Sequence, residues 1–143
     1  MSDSLRHDED VVLAKASIVR ACLRTIREVG SKAELDEWIR RDLEVLNLQR
    51  AVQACLDLAH HLIAANRWEL PRDGGHAMSI LSRRGVVDHD TAETMQRVIG
   101  FRNVAVHLYT EIDPDVVEGI VSHRLGDLER YVGTVLNATV KAG

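Results

Sequence analysis

Aromatic side chains are scarce in this chain: Phe, Trp and Tyr make up only 3% of its 143 residues. With modest β-branched content, that scarcity argues against a sheet protein. Two prolines and nine glycines are the only strong breakers, so long uninterrupted helices are possible. Lysine is nearly absent, at Lys15, Lys32 and Lys141 only, and the remaining cations are arginines. Arginine suits bidentate contacts to phosphate or carboxylate, although a GC-rich genome produces the same bias. Positive charge is not in excess: the net charge is -4 and the pI about 5.9, which excludes the strongly basic class of nucleic-acid binders. Cysteine is limited to Cys22 and Cys55, each among apolar neighbours. Cysteines this far apart form neither a metal nor a redox motif and read as buried free thiols of a reducing compartment. No apolar run approaches the roughly 18 residues of a membrane span. The opening stretch MSDSLRHDED is acidic and polar, unlike a signal peptide. The expectation is a cytoplasmic protein with no membrane segment.

What is present is helical periodicity. The chain length fits one domain, residues 1–143, able to bury about two thirds of its unfolded surface, with 1–8 as a flexible tail. Val12, Val19, Leu23 and Ile26 predict a first helix over 9–29, stopped by Gly30. Ser31 and Glu34 have the spacing of a capping box and predict the start of a second helix. From there to Asn66 no Gly or Pro occurs. Leu35, Trp38, Ile39, Leu43, Leu46, Cys55, Leu58, Leu62 and Ile63 mark its apolar stripe. A run that long exceeds the usual helix length, so a short helix followed by a long one, bent near 40–44, is expected. NRWELPRDGG (66–75) is the clearest break. A short helix fits 76–84, ended by Gly85. Asp90 and Glu93 repeat the capping spacing ahead of Ala92, Met95, Val98 and Ile99. Asp113 and Pro114 predict the start of a last helix to about 139, with Val117, Ile120, Val121, Leu125, Leu128, Val132 and Leu136 inward. The fold class is all-α: an up-and-down bundle of four main helices plus one or two short ones.

One stretch departs from plain amphipathic patterning. FRNVAVHLY (101–109) threads Arg102, Asn103, His107 and Tyr109 through an apolar run. On a helix at about 100° per residue, Arg102 and Tyr109 stack on one line, two turns apart. Asn103 and His107 form an i, i+4 pair on a neighbouring line. Arg102 and His107 point about 140° apart, so they cannot converge on one small atom without a bend, for which Gly100 is placed, or a second protomer. The residues alone leave two readings open: a functional site, or a core histidine with an arginine that caps or bridges to an acid.

Other constellations are weaker. Asp57 and His61 stand at i, i+4, with His60 adjacent. They suggest a hydrogen-bonded pair facing the bundle or a dimer interface, since the ligand count for a metal site fails. His7, His76, His89 and His123 are isolated. Trp38 and Trp68 read as core or interface anchors. Arg67, Arg72, Arg83, Arg84, Arg97 and Arg102 concentrate positive charge between 67 and 102, either as the rim of a cleft or as a solvated face.

RNVAVHLY resembles the R-x4-6-H signature of HEPN domains, and in its R-x4-H-x-Y form it is similar to HepT-like toxins. NLQRAVQACLDLAHHLIAAN, LSRRGVVD and IGFRN resemble further segments of that family, so the likeness spans about 35–135. The resemblance implies a helical bundle that forms a homodimer, with Arg102 and His107 of both protomers lining one composite cleft. It implies a metal-independent endoribonuclease acting on RNA without a cofactor. The ribose 2′-hydroxyl would attack, His107 would serve as general base or acid, Arg102 would neutralise charge on the phosphorane, and Asn103 would orient either. It implies a partner, a minimal nucleotidyltransferase of the MntA-like antitoxin type, which would neutralise the toxin by transferring AMP to Tyr109. The alternative is a non-catalytic helical module that partners such a transferase or binds nucleotide. A purely structural helical dimer is a further reading.

Overall fold

The computed structural model describes residues 5–107 and 114–140, with side chains for 5–101 and 115–140. It contains six helices: α1 (Glu9–Gly30), α2 (Glu37–Ala65), α3 (Gly74–Arg83), α4 (His89–His107), α5 (Pro114–His123) and α6 (Leu125–Thr139). Helices α1, α2, α4 and α6 form the body of the bundle, and α3 and α5 are the two short elements.

Helix α1 starts where Asp8 accepts hydrogen bonds from the N–H groups of Asp10 and Val11, the role of an N-cap carboxylate. It buries Val12, Ala16, Val19, Leu23 and Ile26 against Leu48, Val52, Cys55, Leu58 and Leu62 of α2. Helix α6 packs on α1 and α4, and α3 on α4 and α2. Gly74 opens α3 in a crowded place. A Cβ there would sit 2.8 Å from Leu56 Cδ2 and 3.0 Å from Ile99 Cγ2, so the close approach of α3 to both neighbours depends on glycine.

Several boundaries differ from the sequence reading, each for a local reason. Ser31 does not open α2. Its hydroxyl donates to the Glu28 carbonyl at 2.8 Å, and it closes α1. Helix α2 begins at Glu37 and runs 29 residues as one element. The expected bend is not a boundary, because no breaker interrupts the run. Its inward face is set by Leu48, Ala51, Val52 and Cys55, whereas Trp38 is 67% exposed and Leu46 is 42% exposed. Trp38 is therefore not a core anchor. Helix α4 is capped by Asp88, whose carboxylate accepts from the Thr91 N–H at 2.7 Å, and not by Asp90.

The expected last helix is two. Arg124, at φ -115° and ψ -6°, separates α5 from α6. The break lets one apolar stripe serve different neighbours: α5 packs on α2, and α6 packs on α1 and α4 and reaches α2 through Tyr131. The N-terminal segment is also firmer than expected at residues 5–8. The Asn66 amide bonds both to the Arg6 N–H and to the Arg6 carbonyl, each at 2.9 Å. His61 Nε2 accepts from the Asp8 N–H at 2.8 Å.

Candidate functional site

Helix α4 carries the R-x4-H stretch. Its first turns are fixed by Ala92, Met95, Val98, Ile99 and Phe101, all buried. Gln96 ties it to α3, donating through Nε2 to the Gly75 carbonyl and the Ser79 hydroxyl, both at 2.9 Å. From that anchored half the helix continues through Gly100 to His107. Arg102, Asn103 and His107 therefore lie on the last turns of one helix. Their side chains lie outside the described residues, and so does Tyr109.

The helical register keeps Arg102 and His107 about 140° apart in azimuth and about 7.5 Å apart in rise. Gly100 does not resolve this. It precedes both residues, so a bend there would carry the two as one piece.

The anticipated Asp57–His61 hydrogen bond does not form. The Asp57 carboxylate instead receives Lys15 Nζ at 2.9 Å and the Gln53 amide at 2.9 Å, while His61 takes the Asp8 N–H. Both side chains are committed to the α1 side of the bundle, because α1 packs along that stretch of α2 and brings its own partners. Burial pushes the Asp57 carboxyl up, and the Lys15 and Gln53 hydrogen bonds outweigh it, holding the group below its ordinary value. No group of three His, Cys, Asp or Glu residues able to hold a metal occurs among the described residues.

Cys22 and Cys55 are free and buried, as expected, and burial pushes both thiols up. All described arginines of the 67–102 stretch are exposed, and two form ion pairs: Arg83 with Glu69, Arg97 with Glu93. Arg84 is different. Its guanidinium lies over the Trp68 ring, 5.4 Å from the centroid. The sequence reading missed Asn66, which was taken only as a break. The signal for it was an Asn at a helix end with a free amide.

The HepT-like family model, described as ribonuclease HepT-like, matches residues 18–135. The chain is 28% identical over 129 residues to the mRNA nuclease HepT of Shewanella oneidensis, which covers 88% of this chain and 96% of the relative. Its fold is similar to a solved tri-AMPylated Shewanella oneidensis HEPN toxin in complex with MNT antitoxin. The TM-score is 0.81 at 27% identity, covering 90% of this chain and 98% of the other. The Bacillus subtilis cytosolic protein YutE superposes with a TM-score of 0.81 at 14% identity, covering 94% and 92% of the two chains. That last likeness concerns the fold alone. No helix among the described residues is long and apolar enough to cross a membrane.

Proposed function

The chain belongs to the HepT-like ribonuclease family, and from that premise we propose that it is the toxin of a HEPN/MNT pair, a metal-independent endoribonuclease silenced by AMP transfer to Tyr109. The observation that carries this reading is the R-x4-H-x-Y spacing of Arg102, His107 and Tyr109 inside the matched range. The 2′-hydroxyl of RNA supplies the nucleophile. His107 takes its proton, Arg102 offsets charge on the phosphorane, and a proton returns to the leaving 5′-oxygen. The product end is a 2′,3′-cyclic phosphate.

The active form is a homodimer. The azimuth between Arg102 and His107 on α4 supports a cleft shared by two protomers, with Asn103 orienting His107 or the phosphate. Trp38 and Leu46 on α2 and Val116 on α5 remain exposed, on two helices joined where Arg41 bridges to Glu118 at 3.1 Å. That apolar surface is what a second copy would cover.

The partner is a minimal nucleotidyltransferase. The similar Shewanella toxin is tri-AMPylated and bound to its MNT antitoxin. This chain has two tyrosines. Tyr131 is fully buried with its hydroxyl engaged, which leaves Tyr109 as the acceptor. A nucleotide there places negative charge where RNA phosphate must bind.

The test is RNA cleavage by the wild type, Arg102→Ala and His107→Ala, with analysis of the product ends. Loss of cleavage in both variants is expected; cleavage that survives both sinks the assignment. For Tyr109, intact mass after incubation with the transferase and ATP should rise in the wild type and not in Tyr109→Phe.

A further inference from the structure

A concavity among the described residues lies at the end of α2 opposite its start. It is a pocket of about 800 Å³ at the C-terminal end of α2, lined among others by Leu5, Arg6, Asn66, Arg67, Trp68 and Arg84. Three arginines and one tryptophan line it, and no acidic residue does. Elsewhere the described arginines that pair do so with acids, as Arg27 with Glu129 and Arg41 with Glu44. Among the described residues, none of Arg6, Arg67 and Arg84 has an ion-pair partner. In a chain of net charge -4, this local excess of positive charge is out of keeping with the whole.

Each of the three is held by the fold. The Asn66 amide clamps the Arg6 backbone through two hydrogen bonds. Arg84 is stacked over Trp68. Arg67 has φ +55°, in the left-handed region. It closes α2 in the same way that Gly85 closes α3. The Arg67 N–H bonds to the Ala64 carbonyl and the Trp68 N–H to the Ile63 carbonyl. At α3 the corresponding pair is Gly85 to Ser82 and Val86 to Leu81. Glycine is the favoured residue at that position. One of two equivalent caps uses it, and the other keeps an arginine at a conformational cost.

We propose that this pocket is a second RNA-contact site, remote from the motif, which takes single-stranded RNA by its phosphates and one stacked base. The proposal rests on the ribonuclease reading. Arginines in a groove neutralise backbone phosphates, and an aromatic ring with a guanidinium plane offers a base a stacking surface. Arg84 precedes the first residue of α4 by five positions, and the motif sits at the other end of that helix, about 20–27 Å along its axis. A strand touching both sites must be several nucleotides long. The pocket therefore selects for extended single strands over very short ones.

The test uses the full chain and a 2′-O-methylated oligoribonucleotide long enough to reach both sites, which cannot be cleaved by 2′-hydroxyl attack. Trp38→Phe leaves Trp68 as the only tryptophan, and its emission should be quenched on titration. The triple variant Arg6→Gln/Arg67→Gln/Arg84→Gln should bind the oligonucleotide at least tenfold more weakly. Its log-affinity against log-salt slope should fall by about 2, at roughly 0.7 per lost phosphate contact. Arg67→Gly guards against damage to the fold, since it should raise the melting midpoint and still weaken binding.

Unquenched Trp68 emission, or triple-variant affinity equal to wild type, overturns the proposal. So does a triple variant that loses the transferase while binding the oligonucleotide normally. His107→Ala separates the two claims: it should not cleave, and adding the three arginine substitutions to it should still weaken oligonucleotide binding. Cleavage by His107→Ala defeats the ribonuclease assignment of that residue, whatever the pocket does.

Discussion

The Tyr131 hydroxyl donates a 2.8 Å hydrogen bond to the Cys55 carbonyl, joining α6 to the middle of α2 inside the core. The tyrosine is fully buried, and burial pushes its hydroxyl up, well above the ordinary value. Tyr131→Phe keeps the ring and removes one buried bond. Urea unfolding should show a loss of about 1 kcal/mol. The variant should still gain AMP on incubation with the transferase, because the proposed acceptor is Tyr109.

Equivalent caps make opposite predictions at Gly85 and Arg67. Gly85 has φ +77° with open space around an added Cβ, so Gly85→Ala suffers backbone strain alone, about 1–2 kcal/mol. Arg67→Gly relieves that strain but adds the larger unfolded entropy of glycine, about 0.5–1 kcal/mol. The net gain should be on the order of 0.5–1 kcal/mol. Melting midpoints that move in the same direction for both would contradict the shared geometry.

The Lys15–Asp57 bridge predicts part of the acid response. The Asp57 carboxyl is held below its ordinary 3.8. Its contribution to stability is thus present above that value and is lost as pH falls through the lower, folded one. Asp57→Asn should lower stability at neutral pH and flatten the fall on the acid side. Both side chains are about one third exposed, so the effect should not exceed about 1 kcal/mol. Urea midpoints across the acid range measure it.

Arg41 lies between two carboxylates, Glu44 at 3.0 Å and Glu118 at 3.1 Å. Glu44 is buried, and burial raises its carboxyl despite Arg41. Removing the cation strands that carboxylate. Arg41→Met should cost about 3 kcal/mol at neutral pH, and much of the loss should return in Arg41→Met/Glu44→Gln. As pH falls through the raised Glu44 value, protonation should also restore part of the single variant's deficit. A double-mutant cycle by chemical unfolding, repeated at two pH values, checks both points.

The helices were legible in the sequence because their apolar positions repeat at helical spacing, and Val12 to Ile26 or Ala92 to Ile99 are buried as that spacing requires. Ends were less legible, since several residues competed for each cap. Asp88 and Asp90 both suit the start of α4, and only packing selects Asp88. The break at Arg124 was hard to see, because the apolar stripe continues across it with no proline and the nearby Gly126 lies inside α6. The site divides the same way. The spacing of Arg102, His107 and Tyr109 is a sequence property and was read directly. The gathering of Arg6, Arg67 and Arg84 is not, since these residues come from three segments that meet only through the Asn66 clamp and the turn after α2.

That clamp has a practical side. Asn66 and His61 seat residues 6–8 where the chain enters the fold, and Leu5 and Arg6 are also part of the pocket wall. A group joined directly before Leu5 would start at the wall of the pocket. An affinity tag or reporter there would crowd any strand approaching the arginines, and an acidic one would compete with it for charge. The same fusion moved to the end of α6 leaves that wall untouched. Binding or toxicity measured with the two placements should differ, and the tail-fused protein is the one in which the proposed RNA contact should read as in the unfused chain.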